Sequence, residues 1–312
     1  MDNISEKRFK AIGTDIHLEI VSHDEQEASR AMDDINEAQI IYADQEKIFS
    51  RFDSESELGF FNVNLGVWHE ASPDFIEVSK KVIAYYDLSG GVFDPRIIDV
   101  LEGTGYKESF EKKYFKRDDE KIYDATFENN LRDDLAIDGN RIMFKARMDF
   151  SGIVKGYITD KISAFLKKKG WKDFIADSGG DIFAAGRNEE GKKWIIGFED
   201  LPEEKMGIFL EGEAVATSGT GRRKWELGGK HFHHLVNPKN PESFSFDLRS
   251  VSVVAKSVEE ADFWAKYLFI LGKEDGMEKA REKEIKAVFL DRRGNAFVTK
   301  MIRDNVFQEK GV

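Results

Sequence analysis

The sequence predicts an α+β protein that folds as two lobes of one domain. Helical periodicity dominates the first third of the chain, and short strands separated by turn residues dominate the rest. Hydrophobic residues make up 41% and aromatic residues 12% of the 312 positions, which is enough for a packed core.

The first third is expected to contain a strand, two helices and a connecting loop. Residues 9–21 alternate between apolar and polar side chains, which predicts a strand interrupted at Gly13–Thr14. Residues 24–49 repeat apolar side chains at helical spacing and predict a long amphipathic helix, followed by a loop over 50–66. A serine N-cap followed by proline predicts a second helix over 72–86.

The remainder begins with a charged stretch and continues with short strands. Residues 107–134 interleave both signs of charge with few apolar side chains, which predicts a solvated peripheral excursion and not a basic binding patch. Turn residues at Gly139–Asn140 predict a hairpin over 135–144, and residues 155–169 predict a helix that ends at a glycine. Further strands are predicted over 174–176, 182–185, 194–198, 207–209, 213–217 and 250–255. Further helices are predicted over 258–271 and 274–282, and a last hairpin pairs 286–290 with 296–300.

Composition excludes several classes of protein. The net charge of -12 argues against nucleic acid as the main partner, because phosphate binding needs a basic surface. The chain has no cysteine, so disulfides, thiolate metal sites and a cysteine nucleophile are excluded. No stretch approaches a transmembrane segment, and the first seven residues lack the apolar region of a signal peptide. We therefore expect a cytoplasmic protein or a mature chain whose leader has been removed.

Three segments carry polar groups that could serve one ligand. Residues 214–219 end a predicted strand with small residues and hydroxyls, and a histidine pair with a proline stop follows at 233–238. Residues 148–157 and 176–181 likewise combine glycine and serine with charged side chains. Backbone N–H groups, short hydroxyls and an imidazole near one ligand are suited to binding and proton transfer.

His234 is the candidate base or proton shuttle of this set. The alternative is an ordinary surface or half-buried strand histidine, which is the more common role of any single histidine. A zinc site is poorly supported, because the neighbouring histidines lack a third ligand in the sequence.

Lys155 is a candidate anion-binding residue. Gly152 and Gly156 flank it at a predicted helix start, where exposed N–H groups and an ammonium favour phosphate, although glycine and lysine are also common there for structural reasons. Between Asp177 and Asp181, paired glycines would let a flat ligand approach, and the flanking carboxylates could hold a cation. The alternative is a tight turn with solvated aspartates.

Asp262 and Lys266 are predicted to share one face of a helix. An exposed pair at this i, i+4 spacing contributes only about 0.2–0.5 kcal/mol. If the face points into a cleft, the same pair becomes part of a site.

Taken together, these segments resemble the FAD:protein FMN transferases, known as the ApbE or thiamine-biosynthesis lipoprotein family. The resemblance covers nearly the whole chain and rests on eight motifs in one order. They are Ile12-Gly-Thr14, Phe49-Ser-Arg-Phe52 with Ser56, Glu57, Leu58 and Asn62, Gly91-Val-Phe-Asp-Pro95, residues 149–160, Asp177-Ser-Gly-Gly180, Ala216-Thr-Ser-Gly219, residues 234–238, and Ser252-Val-Val254 before Ala261-Asp262.

The resemblance implies an ApbE-like, T-fold-like domain over 1–312, with mainly antiparallel sheets flanked by helices and an FAD cleft between its lobes. It implies FAD as substrate and a divalent cation, usually magnesium, at the pyrophosphate. Members transfer FMN from FAD to a threonine or serine hydroxyl of an acceptor flavoprotein and release AMP. The family is usually extracytoplasmic and lipid-anchored, whereas this sequence shows neither a signal peptide nor a lipobox cysteine.

The resemblance also implies roles for individual residues. Asp262 and the backbone carbonyl of Val154 would ligate the cation, and His234 would be the base or would position the acceptor. Phe52 stands where the family often has a tyrosine beside the flavin. The residues expected to line the FAD site are Phe52, Ser56, Glu57, Asp94, Lys155, Asp160, Asp177, Gly179, Gly180, Thr217, Ser218 and Gly219.

Lys266 is the most informative departure from the family pattern, because this position usually supplies a threonine hydroxyl to the cation. An ammonium offers donors and no acceptor, so it cannot ligate magnesium. One hypothesis is that Lys266 replaces part of the cation's charge; the alternative is that it extends to solvent while a cation still binds. Accordingly, the function is either FMN transfer or, as the alternative, non-catalytic binding or hydrolysis of FAD.

Overall fold

The computed structural model describes residues 3–103, 129–198, 206–221, 224–227, 230–240 and 247–308. Eight α-helices lie within this part of the chain: α1 (Glu25–Phe49), α2 (Glu57–Val63), α3 (Pro73–Ser89), α4 (Ile98–Gly103), α5 (Leu131–Asp134), α6 (Ser151–Lys168), α7 (Val258–Leu271) and α8 (Lys273–Glu282). The first eight strands are β1 (Asn3–Ala11), β2 (Thr14–Ser22), β3 (His69–Glu70), β4 (Leu135–Asp138), β5 (Arg141–Phe144), β6 (Phe174–Ser178), β7 (Ile182–Ala185) and β8 (Trp194–Gly197). The remaining strands are β9 (Met206–Leu210), β10 (Glu213–Gly219), β11 (Lys224–Leu227), β12 (Lys230–His233), β13 (Leu248–Ala255), β14 (Lys286–Asp291), β15 (Ala296–Val298) and β16 (Val306–Gln308).

The chain forms two compact units. Unit 1 comprises Met1–Asp44, Lys155–Ser218 and Asp247–Val312, and unit 2 comprises Gln45–Val154 and Gly219–Phe246. In the part of the chain that the structure describes, no helix combines the length and the apolar character needed to cross a membrane.

Unit 1 is organised around an eight-stranded sheet with the order β1-β2-β6-β7-β10-β13-β14-β15. The pairs β1–β2, β2–β6, β6–β7, β7–β10, β13–β14 and β14–β15 are antiparallel. A smaller sheet, β16-β9-β8, belongs to the same unit. Buried apolar side chains of both sheets form one cluster that includes Ile182, Trp194, Leu210, Val215, Val254 and Val288.

Unit 2 contains the sheet β3-β5-β4 and the two-stranded sheet β11-β12. Its packing includes an aromatic cluster, in which Phe61 and Phe75 stack at 4.8 Å between ring centroids and Phe75 lies 5.5 Å from Phe150. Helix α3 begins as predicted, because the Ser72 hydroxyl accepts a hydrogen bond from the Phe75 N–H at 3.2 Å.

The predicted elements are largely confirmed, with three informative exceptions. The single strand predicted over 9–21 is wrong, because the chain reverses at Gly13 and forms an antiparallel hairpin of β1 and β2. The expected loop over 50–66 is wrong, because it contains α2, whose N-cap is Ser56. Helix α6 begins at Ser151, four residues before the predicted start. Most of the predicted excursion at 107–134 lies outside the described residues, but Leu131 at its end is fully buried.

Candidate functional site

Unit 1 contains two neighbouring ion pairs, each between a buried aspartate and a largely buried lysine. Lys155, in the first turns of α6, pairs with Asp181, which lies between β6 and β7. Lys266 pairs with Asp262 one turn earlier on α7. The two aspartates are each 1% exposed, and the side chains of Lys155 and Lys266 are 17% and 13% exposed. We call these residues the charge quartet.

The four groups of the charge quartet act on one another electrostatically. Burial raises the pKa of Asp181 to about 6, the Asp262 charge adds to this effect, and Lys155 and Lys266 oppose it. Burial likewise lowers the pKa of the Lys266 ammonium; Asp262 and Asp181 oppose this, and Lys155 adds to it. The two ion pairs therefore form one electrostatic unit, which was not evident from their separation in the sequence.

The charge quartet has unused acceptor capacity. Within the described residues, Oδ1 of Asp181 and Oδ2 of Asp262 are buried without a hydrogen-bond partner. Each of these oxygens could accept a hydrogen bond or contact a cation. The sequence analysis named Asp181 as a carboxylate that could hold a cation, but it did not predict the ion pair with Lys155.

A chain of hydroxyl groups lies beside Lys155 in unit 1. The Thr159 hydroxyl bonds the Lys155 carbonyl and the Ser178 hydroxyl, both at 2.7 Å. Ser178 in turn contacts the Tyr42 hydroxyl at 2.8 Å. These bonds connect α1, α6 and β6, so they fix the start of α6 relative to the sheet.

The glycine pair after β6 forms a turn that only small residues permit. Gly179 and Gly180 have φ values of 67° and 95°, in the left-handed region. Asp177 closes the turn by accepting a hydrogen bond from the Gly180 N–H at 2.7 Å. A Cβ on Gly179 would overlap the hydroxyl of Thr14, so the first and fifth sequence motifs meet here.

The hydroxyl motif at the end of β10 lies at the same end of the sheet as this turn. Val215 is paired with Ile182, and extending the register places Thr217 level with Gly180. Thr217 shares a 2.7 Å hydrogen bond with Ser252 on β13. Ser218 is buried, and Gly219 ends the strand.

Asp160 has a structural partner that the sequence did not reveal. Its carboxylate accepts hydrogen bonds from the N–H groups of Val258 and Glu259, at 2.8 and 2.9 Å. These are the first two residues of α7, so Asp160 caps the helix that carries Asp262. Gly156 permits the close approach, because a Cβ there would lie 2.6 Å from the Glu259 Cα.

In unit 2, the predicted FAD-lining residues Ser56 and Glu57 take part in helix caps. The Ser56 hydroxyl accepts a hydrogen bond from the Gly59 N–H at 2.9 Å. The Glu57 carboxylate accepts from the N–H and the hydroxyl of Ser72, at 2.7 and 2.6 Å. The contact of Ser56 and Glu57 with FAD stays a prediction.

Asp94 and Phe52 also have partners within unit 2. Asp94 is buried and forms an ion pair with the buried Arg96 at 2.7 Å. The exposed Phe52 ring lies under the Arg51 guanidinium, with 4.2 Å between its carbon and the ring centroid. Arg51 also pairs with the buried Asp149 at 3.3 Å, which brings the second and fourth motifs together.

His234 and Val154 belong to unit 2 as well. His234 is half-buried and lies directly after the last residue of β12, so it is not part of that strand. The next residues anchor this segment, because Val236 packs in a buried cluster with Val100, Leu101 and Trp225. Val154 is buried in the first turn of α6, one residue before Lys155.

The structure therefore groups the predicted residues within each unit. Lys155 and Asp262 share the charge quartet, and Asp177, Thr217 and Ser218 lie at one end of the large sheet. Glu6, His17 and Glu19 form a separate cluster on the first hairpin, with ligand atoms within 4.8 Å of one another. Neither this cluster nor the capping role of Asp160 was predicted from the sequence.

Comparison with known proteins gives a consistent result. The model of the ApbE family matches residues 12–289. An FAD:protein FMN transferase of Haemophilus influenzae is 27% identical over 306 residues, covering 93% of this chain and 87% of the relative.

Two solved structures are similar over almost their full lengths. The ApbE protein of Thermotoga maritima superposes with a TM-score of 0.84 at 22% identity, covering 97% of this chain and 99% of that one. The flavin transferase ApbE of Vibrio cholerae superposes with a TM-score of 0.80 at 20% identity, covering 98% and 100%. At these identities the two structures confirm the predicted α+β fold.

Proposed function

Since this chain belongs to the ApbE family, we propose that it transfers FMN from FAD to a hydroxyl group of an acceptor protein. The observation that carries the proposal is the family match over residues 12–289, together with a curated FMN transferase aligned over 93% of the chain. The acceptor is a flavoprotein, and a threonine or serine supplies the attacking oxygen.

The reaction is a phosphoryl transfer. The acceptor oxygen forms a bond to the phosphorus of the FMN half, the bond from that phosphorus to the bridging oxygen of the diphosphate breaks, and AMP leaves. The hydroxyl proton passes to a base. Positioning and neutralisation of phosphate charge supply most of the rate in this class of reaction.

Residues of unit 1 are suited to binding the diphosphate of FAD. The ammoniums of Lys155 and Lys266 supply N–H donors for phosphate oxygens, and the turn at Gly179–Gly180 exposes backbone where a side chain would obstruct it. Ser218 and Thr217 add hydroxyl groups at the same end of the sheet.

His234 is the proposed base for the acceptor hydroxyl. An imidazole is neutral near physiological pH and can accept this proton, which contributes about 10²- to 10⁴-fold to a rate. Its half-buried position gives the ring partial access to solvent.

The test is incubation of the purified protein with FAD and a candidate acceptor, followed by mass spectrometry of the acceptor. We expect an adduct of one FMN and stoichiometric release of AMP. His234→Asn should slow transfer by about 100-fold or more, whereas His17→Asn, which removes another histidine, should not. Equal rates for the two variants would eliminate His234 as the base.

The same experiment separates transfer from the alternative activities. AMP and free FMN formed without an acceptor would indicate hydrolysis. FAD binding without AMP release, tested against several flavoprotein acceptors, would indicate a non-catalytic binder and would refute the proposal.

A further inference from the structure

The Asp262–Lys266 pair lies in the protein interior and not on an exposed helix face. Helix α7 is largely buried: Ala261, Phe263, Ala265 and Leu268 are each fully buried. The Lys266 ammonium lies on Oδ1 of Asp262, and only 13% of the lysine side chain is exposed. The lysine therefore does not extend to solvent.

The residues around Asp262 are poorly suited to magnesium. Magnesium requires close to octahedral oxygen coordination and keeps several waters, whereas an ammonium supplies only donors. The charge quartet already contains two positive and two negative groups, whose formal charges cancel. A divalent cation would add two positive charges beside the largely buried Lys155 and Lys266, or would displace an ammonium from its carboxylate.

We propose that the Lys266 ammonium takes the place of a divalent cation beside Asp262, so that this chain binds FAD without magnesium. The proposal rests on the proposed function, because it assigns the charge quartet to the FAD diphosphate. Lys155 and Lys266 each hold a carboxylate and present their remaining N–H donors to phosphate oxygens. Asp181 and Asp262 are then positioning residues that keep the two ammoniums charged and in place.

The two carboxylate oxygens without a hydrogen-bond partner suggest the alternative arrangement, in which a cation binds here. Oδ1 of Asp181 and Oδ2 of Asp262 could ligate a cation if the ammoniums moved aside. A direct measurement of cation binding therefore decides between the two arrangements.

The experiment uses Mn²⁺ as a probe for magnesium sites, with electron paramagnetic resonance of the EDTA-treated full chain, alone and with FAD. Calorimetry of FAD binding is run in parallel in EDTA and in millimolar Mg²⁺. Mn²⁺ held by the separate Glu6–His17–Glu19 cluster is identified as the binding lost in His17→Asn. The His17→Asn protein should bind no Mn²⁺ stoichiometrically, and the FAD affinity of the wild type should change less than threefold between the two conditions. Stoichiometric Mn²⁺ binding by His17→Asn, a tenfold loss of FAD affinity in EDTA, or no FAD binding in either condition would overturn the proposal.

Two variants at Lys266 form a matched pair. Lys266→Thr removes the ammonium and adds an oxygen ligand, so it should gain Mn²⁺ binding and make FAD affinity depend on Mg²⁺. Lys266→Met removes the ammonium without adding an oxygen, so it should weaken FAD binding by about 10- to 100-fold. Unchanged FAD affinity in Lys266→Met would contradict the proposal. If neither variant folds, the wild-type titrations still decide.

The experiments distinguish a failure of the proposed role of Lys266 from a failure of the proposed FMN transfer. Magnesium-independent FAD binding without any acceptor adduct would leave the role of Lys266 intact while refuting FMN transfer. An adduct that forms only with Mg²⁺ present would support transfer and overturn the role of Lys266.

Discussion

Asp160 offers a quantitative test of how α7 is held in place. Its carboxylate accepts hydrogen bonds from the N–H groups of Val258 and Glu259, at 2.8 and 2.9 Å. Asp160→Ala leaves both N–H groups without this acceptor and removes a negative charge from a helix N-terminus. Lost bonds to a charged group cost about 1.5–3 kcal/mol each, reduced where water can replace them. We expect a loss of about 2–4 kcal/mol in the free energy of unfolding.

Two further variants make the test specific. Asp160→Asn keeps one acceptor oxygen and should lose about half as much stability. Glu260→Ala removes a charge from the first turn of the same helix without removing a cap, and should cost less than about 1 kcal/mol.

The assay is urea unfolding followed by circular dichroism, with hydrogen exchange of the Val258 and Glu259 amides as a local measurement. Exchange at these amides should accelerate most in Asp160→Ala. If Asp160→Ala lost no more stability than Glu260→Ala, and the two amides kept their protection, the capping argument would be refuted.

Two more predictions follow from the turn and from the charge quartet. Gly179→Ala should lower the melting temperature more than Gly212→Ala. Both glycines have positive φ, but only Gly179 lies against another side chain, and the added clash should cost about 1–3 kcal/mol. Equal melting temperatures of the two variants would contradict this reasoning. Because burial raises the pKa of Asp181 from 3.8 to about 6, the unfolded chain loses this proton first as pH rises. The free energy of unfolding should therefore fall by about 2 kcal/mol between pH 4 and pH 6, and Asp181→Asn should lack this fall. Parallel stability curves for wild type and Asp181→Asn would show that the burial argument is wrong.

Local sequence signals predicted most elements because they act over a few residues. The serine cap and proline at the start of α3 and the apolar spacing of α7 each specify an element by themselves. The start of α6 was predicted four residues too late. Gly152, which the prediction placed before the helix, lies in its first turn, where the lack of a side chain leaves room for Phe93.

The candidate site was predictable only in part. The motifs identified Lys155, Asp262 and the glycine turn, and they led to the family that the comparisons confirm. They did not reveal that Glu57 and Asp160 bind the N-termini of other helices, because their partners Ser72 and Val258 lie 15 and 98 residues away.

The sequence alone determined most of the longer elements, the absence of cysteine chemistry and the family, since these depend on composition, local periodicity and ordered motifs. Only the tertiary structure decided the environment of the Asp262–Lys266 pair. Their spacing of four residues is the same on an exposed helix and in a core, but the strength of an ion pair depends on the surrounding dielectric. Because α7 is buried and the second pair, Lys155–Asp181, lies nearby, the Asp262–Lys266 pair is part of the charge quartet and is not a weak surface contact. The burial of α7 and the proximity of the second pair both arise from packing between segments that are distant in the chain.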